Sequence, residues 1–177
     1  MRPYVIGVFG SAAGKVDEKV VGLARAVGAL IAEKGCITLT GGCPGYPYEA
    51  ILGAKEAGGF TVGVSPATSR EEHIKRYNFP TDGFDFLVYA GNGKKGRNVV
   101  SLYTADAAIA ISGRIGTLNE LTIAYDENRP IGILDVPGLA KEFKSLAENC
   151  GKSGAPIILD RDPRLLVDGL LKILNKR

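Results

Sequence analysis

The sequence predicts an α/β protein: a Rossmann-like, doubly wound parallel sheet of about seven strands in a three-layer α/β/α arrangement. Short β-branched and apolar runs alternate with longer segments of helical period, which implies parallel strands joined by right-handed crossovers. Ala107–Ile111 is apolar at every position, as in strands buried on both faces. The 177 residues suit one domain, and neither a repeat nor a linker divides residues 1–177.

Seven short runs have the composition of buried strands. In chain order they are Tyr4–Phe9, Cys36–Leu39, Thr61–Val64, Phe86–Tyr89, Ala107–Ile111, Ile131–Leu134 and Pro156–Leu159. The segment Ser65–Gly83 fits neither the strand pattern nor the helix pattern. We expect it to form a lid or a surface excursion.

The segments between the strands show the apolar spacing of amphipathic helices. The first carries one apolar stripe from Val20 to Ile31, and the last begins with Asp162 as N-cap and Pro163 at the first helical position. The predicted helices are Asp17–Lys34, Pro47–Ala57, Lys95–Thr104, Thr117–Glu127, Leu139–Cys150 and Pro163–Asn175.

The charge pattern argues against a nucleic-acid polymer as partner, because the net charge is only +3 and is spread along the chain. The densest basic stretch, 94–97, suits the phosphate of a small ligand. Cys36, Cys43 and Cys150 form no CxxC pair and predict buried, inert thiols, without a disulfide framework or a metal site. We find no signal peptide and no apolar run long enough to span a membrane, so we expect a cytoplasmic protein.

Glycine is concentrated in four loops that follow predicted strands. The chain has 24 glycines, about twice the number that an average usage of about 7% gives. The loops are Gly10–Gly14, Gly41–Gly45, Gly91–Gly96 and Gly113–Gly116. In a parallel sheet all four lie at the carboxyl edge, where open α/β sheets bind ligands, and glycine lets backbone N–H groups approach an anion. Turn geometry alone is enough to explain any single loop of this kind. Four such loops at one edge of the sheet favour a phosphorylated ligand.

Two familiar motifs are only partly matched. Gly10–Lys15 reads GxxxGK, one residue short of a P-loop, and Val16 replaces the magnesium-binding hydroxyl. Gly91–Gly96 reads GxGxxG after a strand, but the acidic residue expected about 20 positions later is missing. ATPase chemistry and NAD-dependent chemistry are therefore both disfavoured.

Two polar residues, Glu120 and Arg97, have alternative interpretations. Thr117 and Glu120 have the spacing of a capping box, in which Glu120 would bond back to the helix start. Alternatively, Glu120 is a carboxylate at the ligand-facing helix end, able to support an oxocarbenium-like centre or activate water in cleavage of a sugar C–N bond. Arg97 is either a solvated side chain or a bidentate phosphate clamp. His73 lies in a polar stretch and is expected at the surface.

The chain resembles the LOG (LONELY GUY) group, also called lysine-decarboxylase-like, of Rossmann-type nucleotide-binding proteins. The matching segments are 8–11, 40–42 with Gly45, 105–107, and 112–120, which is similar to PGGxGTxxE. The resemblance implies a homodimer that hydrolyses cytokinin riboside 5′-monophosphates to free base and ribose 5-phosphate, with neither metal nor cofactor. It implies Arg97 and Glu120 as catalytic residues. The binding residues proposed from the glycine loops and the matching motifs are Gly10, Ser11, Gly41, Gly42, Gly45, Gly113, Arg114, Gly116 and Thr117.

The motifs also depart from the family pattern. Ser112 stands for proline and Arg114 for the second glycine of PGG; Asn98 stands for a lysine, and Pro44–Tyr48 differs from GxxGLMG. Arg114 would either clamp the phosphate or narrow the site. The departures resemble the branch that includes molybdenum-cofactor carrier proteins. From the resemblance as a whole we expect a nucleoside 5′-monophosphate phosphoribohydrolase. Because of these departures, a non-catalytic carrier or sensor of a phosphorylated heterocycle is the alternative. A structural oligomer that binds phosphate only adventitiously is a third possibility.

Overall fold

A computed structural model describes residues 2–12, 17–149 and 154–177. The described strands are β1 (Val5–Gly10), β2 (Ile37–Thr40), β3 (Thr61–Ser65), β4 (Phe86–Tyr89), β5 (Ala107–Ile111), β6 (Ile131–Leu134) and β7 (Ile157–Asp160). The helices are α1 (Glu18–Glu33), α2 (Tyr46–Glu56), α3 (Arg70–Lys75), α4 (Gly93–Thr104), α5 (Ile115–Asp126), α6 (Phe143–Asn149) and α7 (Pro163–Leu174). A 3₁₀ turn over Leu139–Glu142 precedes α6.

The described strands form one parallel sheet in the order β4-β3-β2-β1-β5-β6-β7. Strand β1 lies in the middle, with Ile6 paired to Thr38 of β2 on one side and to Ala107 of β5 on the other. The strand order reverses at β1, because the chain first winds outward to β4 and then returns to β5. The carboxyl ends of β1 and β5 therefore flank the switch point, where doubly wound sheets bind ligands.

Two hydrophobic cores cover the two faces of the sheet. One packs α1, α2 and α7 against the strands, and it includes Ile31, Ile109 and Leu170. The other packs α4, α5 and α6 against the opposite face, and it includes Leu102, Leu121 and Phe143. The predicted fold class, a three-layer doubly wound α/β sheet, is confirmed. Among the described residues, no helix is both long and apolar enough to cross a membrane.

The segment Ser65–Gly83 contains a short helix, α3, that the sequence pattern did not predict. The helix is capped by Ser69, whose side chain accepts a hydrogen bond from Glu72 N. The expectation of a surface His73 is wrong, because the imidazole is fully buried. Its Nδ1 lies 2.8 Å from Ser65 Oγ and its Nε2 lies 2.9 Å from the Pro80 carbonyl oxygen. His73 thus ties α3 and the following loop to the end of β3.

The two thiols that the structure describes match the expectation of buried cysteines. Cys36 and Cys43 are buried and free, whereas Cys150 lies outside the described residues. Burial raises the pKa of both described thiols, so they stay protonated at neutral pH.

Candidate functional site

A pocket of about 250 Å³ opens at the carboxyl ends of β1 and β5. It is therefore at the switch point of the sheet. Eight of the residues proposed from the sequence line it: Gly10, Ser11, Gly41, Arg97, Arg114, Gly116, Thr117 and Glu120. The sequence-based proposal missed the other lining residues, which are Val8, Phe9, Ala12, Cys43, Pro47, Lys94, Lys95 and Asn98.

Helix α4 reaches this pocket because of the crossover between β4 and β5. Strand β4 is at one edge of the sheet and β5 is next to the central β1, so the connecting helix runs across one face. It contacts β3, β1 and α5 on the way. The basic residues of its first turns, Lys94, Lys95 and Arg97, are thereby placed beside the loops after β1 and β5.

Positive charge dominates the lining. Within the described part of the chain, four cationic side chains line the pocket, namely Lys94, Lys95, Arg97 and Arg114, against the single carboxylate of Glu120. Lys94, Lys95 and Arg114 are exposed at the rim, whereas Arg97 and Glu120 are buried. A cleft with one sign of charge and low-dielectric walls concentrates counter-ions, so the pocket favours an anion.

The N-termini of α4 and α5 add to this preference. Helices α1, α3 and α7 begin with side-chain caps from Asp17, Ser69 and Asp162. In the described structure, α4 and α5 have neither a side-chain cap nor an acidic residue in the first turn. Gly93 N donates to the Pro66 carbonyl oxygen at 3.3 Å, and the other first-turn N–H groups and the positive dipole ends remain available to a bound anion.

The capping-box interpretation of Glu120 is wrong. Helix α5 begins at Ile115 with Arg114 as N-cap, two residues before the predicted start, so Thr117 already lies inside the helix. The early start follows a sharp reversal at Ser112 and Gly113, whose φ angles are +61° and +103°. Glu120 consequently lies more than a turn into the helix, where its side chain lines the pocket.

Arg97 is not a solvated arginine, because its side chain is only 7% exposed. Its Nη1 lies 3.6 Å from Glu120 Oε1, beyond a good hydrogen bond. Among the described residues, its Nε has no hydrogen-bond partner. A buried guanidinium with an unused donor is costly, and an anion in the pocket would satisfy that donor.

Glu120 lies in a mainly desolvated environment. Burial raises its pKa from 4.5 to about 7, and the positive charges of Arg97 and Lys95 only partly oppose this shift. The side-chain amide of Asn98 faces both Glu120 Oε1 at 3.1 Å and the Lys94 carbonyl oxygen at 2.9 Å. With its nitrogen on this side the amide donates to both oxygens, whereas in the opposite orientation the nitrogen donates to Asn119 Oδ1 at 2.8 Å. Asn98, which replaces the lysine of the LOG pattern, thus contacts the carboxylate.

Three glycines of the sequence-based proposal, Gly42, Gly45 and Gly113, lie next to the pocket and are not among its lining residues. Gly45 has φ +83°, and a Cβ there would lie 2.2 Å from the Ser11 carbonyl oxygen. Gly113 N donates to Ser11 Oγ at 3.1 Å. In the structure these contacts pack the loops after β1, β2 and β5 together.

The two partial nucleotide motifs have different outcomes. In GxGxxG, Gly91 and Gly93 form the turn into α4 with φ angles of +71° and +67°. The motif follows the edge strand β4 and not the central β1 of a dinucleotide site, although its Lys94 and Lys95 line the pocket. In GxxxGK, the last three residues, 13–15, and the following Val16 lie outside the described residues. Among the described residues, no group of three or more His, Cys, Asp or Glu side chains is placed to hold a metal.

Solved structures support the fold. The Moco carrier protein of Chlamydomonas reinhardtii is 28% identical to this chain, with a TM-score of 0.82 over 99% of this chain and 100% of that one. The molybdenum cofactor binding protein of Rippkaea orientalis is also 28% identical, with a TM-score of 0.81 over 98% of this chain and 99% of that one.

Sequence comparisons define the family. An uncharacterised protein of Archaeoglobus fulgidus is 34% identical over 137 residues, which are 77% of this chain and 83% of that protein. The narrower assignment to the LOG phosphoribohydrolases is not confirmed by these comparisons. The model of the SLOG cluster4 family matches residues 3–167, so this chain belongs to the SLOG cluster4 family.

Proposed function

We propose that the protein binds and carries a small phosphorylated heterocycle, of the molybdenum-cofactor kind, and does not consume it. The observation that carries the proposal is the pocket itself, where buried Arg97 and three rim cations meet two uncapped helix N-termini. The two relatives that are 28% identical over nearly the whole chain are described as a Moco carrier and a molybdenum cofactor binding protein. Their similarity favours a carrier, which was the alternative in the sequence interpretation.

The pocket lining has parts suited to both ends of such a ligand. A phosphate monoester would accept hydrogen bonds from the N–H groups of Gly116 and Thr117 at the start of α5, with Arg114 adding positive charge. Ala12 and Pro47 supply apolar surface for a planar heterocycle. The metal of a molybdenum cofactor would arrive with the ligand, as cargo.

A second candidate is hydrolysis of the N-glycosidic bond of a nucleoside 5′-monophosphate. The observation in its favour is Glu120, whose pKa of about 7 suits a general acid or base at neutral pH and which lies near Arg97. We prefer the carrier because the similar structures are binding and carrier proteins. Homodimer formation and a cytoplasmic location stay predictions.

Ligand binding and base release are measured on the same samples. Purified protein is screened by thermal shift with a panel of nucleoside monophosphates and with pterin phosphates, because binding to the native state raises the melting temperature. Each mixture is then chromatographed for free base. The carrier proposal expects stabilisation by a phosphorylated heterocycle, no free base, and loss of stabilisation in Arg97→Met.

The matched control for Arg97→Met is Arg76→Met, since Arg76 is an exposed arginine directly after α3. The control is expected to respond to ligand like the wild type. Free base that appears with the wild type and disappears with Glu120→Gln would establish the hydrolase and overturn the carrier. If no phosphorylated ligand changes the melting temperature, both proposals fail.

A further inference from the structure

Arg97 and Glu120 form an incomplete pair inside the pocket. Both side chains are less than one-tenth exposed, yet Nη1 and Oε1 are 3.6 Å apart. In the part of the chain that the structure describes, Nε of Arg97 has no partner at all. Removing a charge from water is costly unless its hydrogen bonds are satisfied. At this separation Arg97 and Glu120 do not complete each other's hydrogen bonds.

Glu120 titrates near neutral pH because burial raises its pKa more than the surrounding positive charges lower it. Helix α4 contributes two cations, Arg97 and Lys95, which oppose the effect of burial, and the neutral amide of Asn98. The loop after β2 contributes Cys43, a thiol whose pKa is raised by burial. The start of α5 contributes Arg114 at the exposed rim.

We propose that ligand binding in this pocket is coupled to uptake of one proton by Glu120, which would otherwise repel an anionic group that contacts Arg97. The inference rests on the proposed function. In the free protein the carboxylate partly neutralises Arg97. When an anion also binds Arg97, two negative groups would share one buried guanidinium. The negative charge of the anion then raises the pKa of the nearby Glu120 carboxyl. The proton comes from solvent, and the resulting O–H can donate to the anion.

The consequence is a carrier whose affinity depends on pH. Protonated Glu120 leaves Arg97 free for the ligand, so binding is tight at the acidic end of the physiological range and weaker above it. Ligand and proton then load and leave together, with up to one proton taken up for each anion bound, depending on how much of Glu120 is ionised before binding. By reciprocity, the ligand raises the proton affinity of Glu120 by the factor by which protonation raises ligand affinity.

Sulfate is the probe, because it stays a dianion between pH 6 and 8.5. Calorimetric titrations are run at pH 7.5 in Tris and in HEPES, two buffers with different ionisation enthalpies, at constant ionic strength. The apparent enthalpy is expected to change with buffer by an amount equivalent to about 0.8 proton taken up, given a pKa of about 7 for free Glu120. Over pH 7.0 to 8.5 the sulfate Kd is expected to rise about 15-fold.

Two variants isolate the carboxylate. Glu120→Gln is expected to bind sulfate with no buffer-dependent enthalpy and with a Kd constant within about twofold across this pH range. Glu71→Gln, at an exposed carboxylate of α3, is expected to behave as the wild type does.

Sulfate binding by the wild type without proton uptake would overturn the inference and leave the proposed function standing. The same proton uptake in Glu120→Gln would also overturn it. Absence of sulfate binding, together with absence of thermal stabilisation by phosphorylated heterocycles, would overturn both.

Discussion

The guanidinium of Arg97 occupies the space that a side chain at position 41 would need. A Cβ built on Gly41 would lie 1.6 Å from Arg97 Nη1 and 2.4 Å from its Cζ. Gly41 is buried at the end of β2, so the backbone there forms the surface on which the guanidinium rests. The glycine of this loop therefore places a cation, in addition to any role in approaching phosphate.

Gly41→Ala is expected to displace Arg97. Sulfate binding should weaken by at least about tenfold, because one charge-assisted hydrogen bond from Arg97 to the anion is lost. Calorimetry measures the affinity. Gly22→Ala is the matched control, since a Cβ at this exposed helical position meets no described heavy atom within 4 Å. The control should bind normally and be slightly more stable. Normal sulfate binding by Gly41→Ala would show that Arg97 does not hold the anion.

Glu120 is expected to make the stability of the free protein depend on pH. Its pKa is raised from 4.5 to about 7, so between these values the folded protein holds a proton that the unfolded chain has released. Stability contributed by this group is therefore present below about pH 4.5 and is lost as pH rises to about 7, a change on the order of 3 kcal/mol.

Urea unfolding of the wild type and of Glu120→Gln at pH 5 and pH 8 measures this contribution. The free energies of unfolding should be similar at pH 5, and the variant should be more stable at pH 8. A difference between the two proteins that does not change with pH would contradict the raised pKa.

His73→Phe is expected to destabilise the fold by about 2 to 4 kcal/mol, because it removes the imidazole partners of both Ser65 Oγ and the Pro80 carbonyl oxygen. The ring contacts with Phe79 and Tyr89 would largely survive. Denaturant unfolding checks the loss. Glu71→Gln on the same helix, at an exposed ion pair, should change stability by less than about 0.5 kcal/mol. Equal effects of the two substitutions would contradict the structural role of His73.

Arg114→Gly tests whether Arg114, at the pocket rim, binds the anion or narrows the entrance to the pocket. We expect a clamp, because Arg114 is exposed beside the uncapped start of α5. Sulfate affinity should then fall about two- to tenfold at low ionic strength, with a smaller loss at high salt, because an exposed charge is screened. Tighter binding in the variant would instead mean that Arg114 narrows the site.

Sequence pattern predicted the central sheet well because buried parallel strands are apolar throughout. Strands β5 and β6 have the predicted bounds, and the switch point between β1 and β5 follows from the alternation of strands and helices. The starts of α4 and α5 were missed by two residues, since neither helix has a side-chain cap to mark its start. The burial of His73 depends on residues from β3 and the loop after α3, and local polarity carries no signal of it.

The site was predicted unevenly for a similar reason. Glycine loops and the spacing of Arg97 and Glu120 pointed to the correct edge of the sheet. Cys43 and Asn98 were not proposed as site residues, because only the crossing of α4 over the sheet brings them together with Glu120. The basic stretch at 94–97 did contain a usable signal, since three of its four residues line the pocket.

The most direct test is cofactor transfer. The protein is incubated with released molybdenum cofactor, separated from free cofactor by gel filtration, and added to a cofactor-free molybdoenzyme whose activity reports delivery. The account predicts that the wild type and Arg76→Met restore activity in proportion to the protein added, and that Arg97→Met restores little. Equal delivery by Arg97→Met, or no cofactor retained by the wild type, would contradict the claim that this pocket carries a phosphorylated heterocycle.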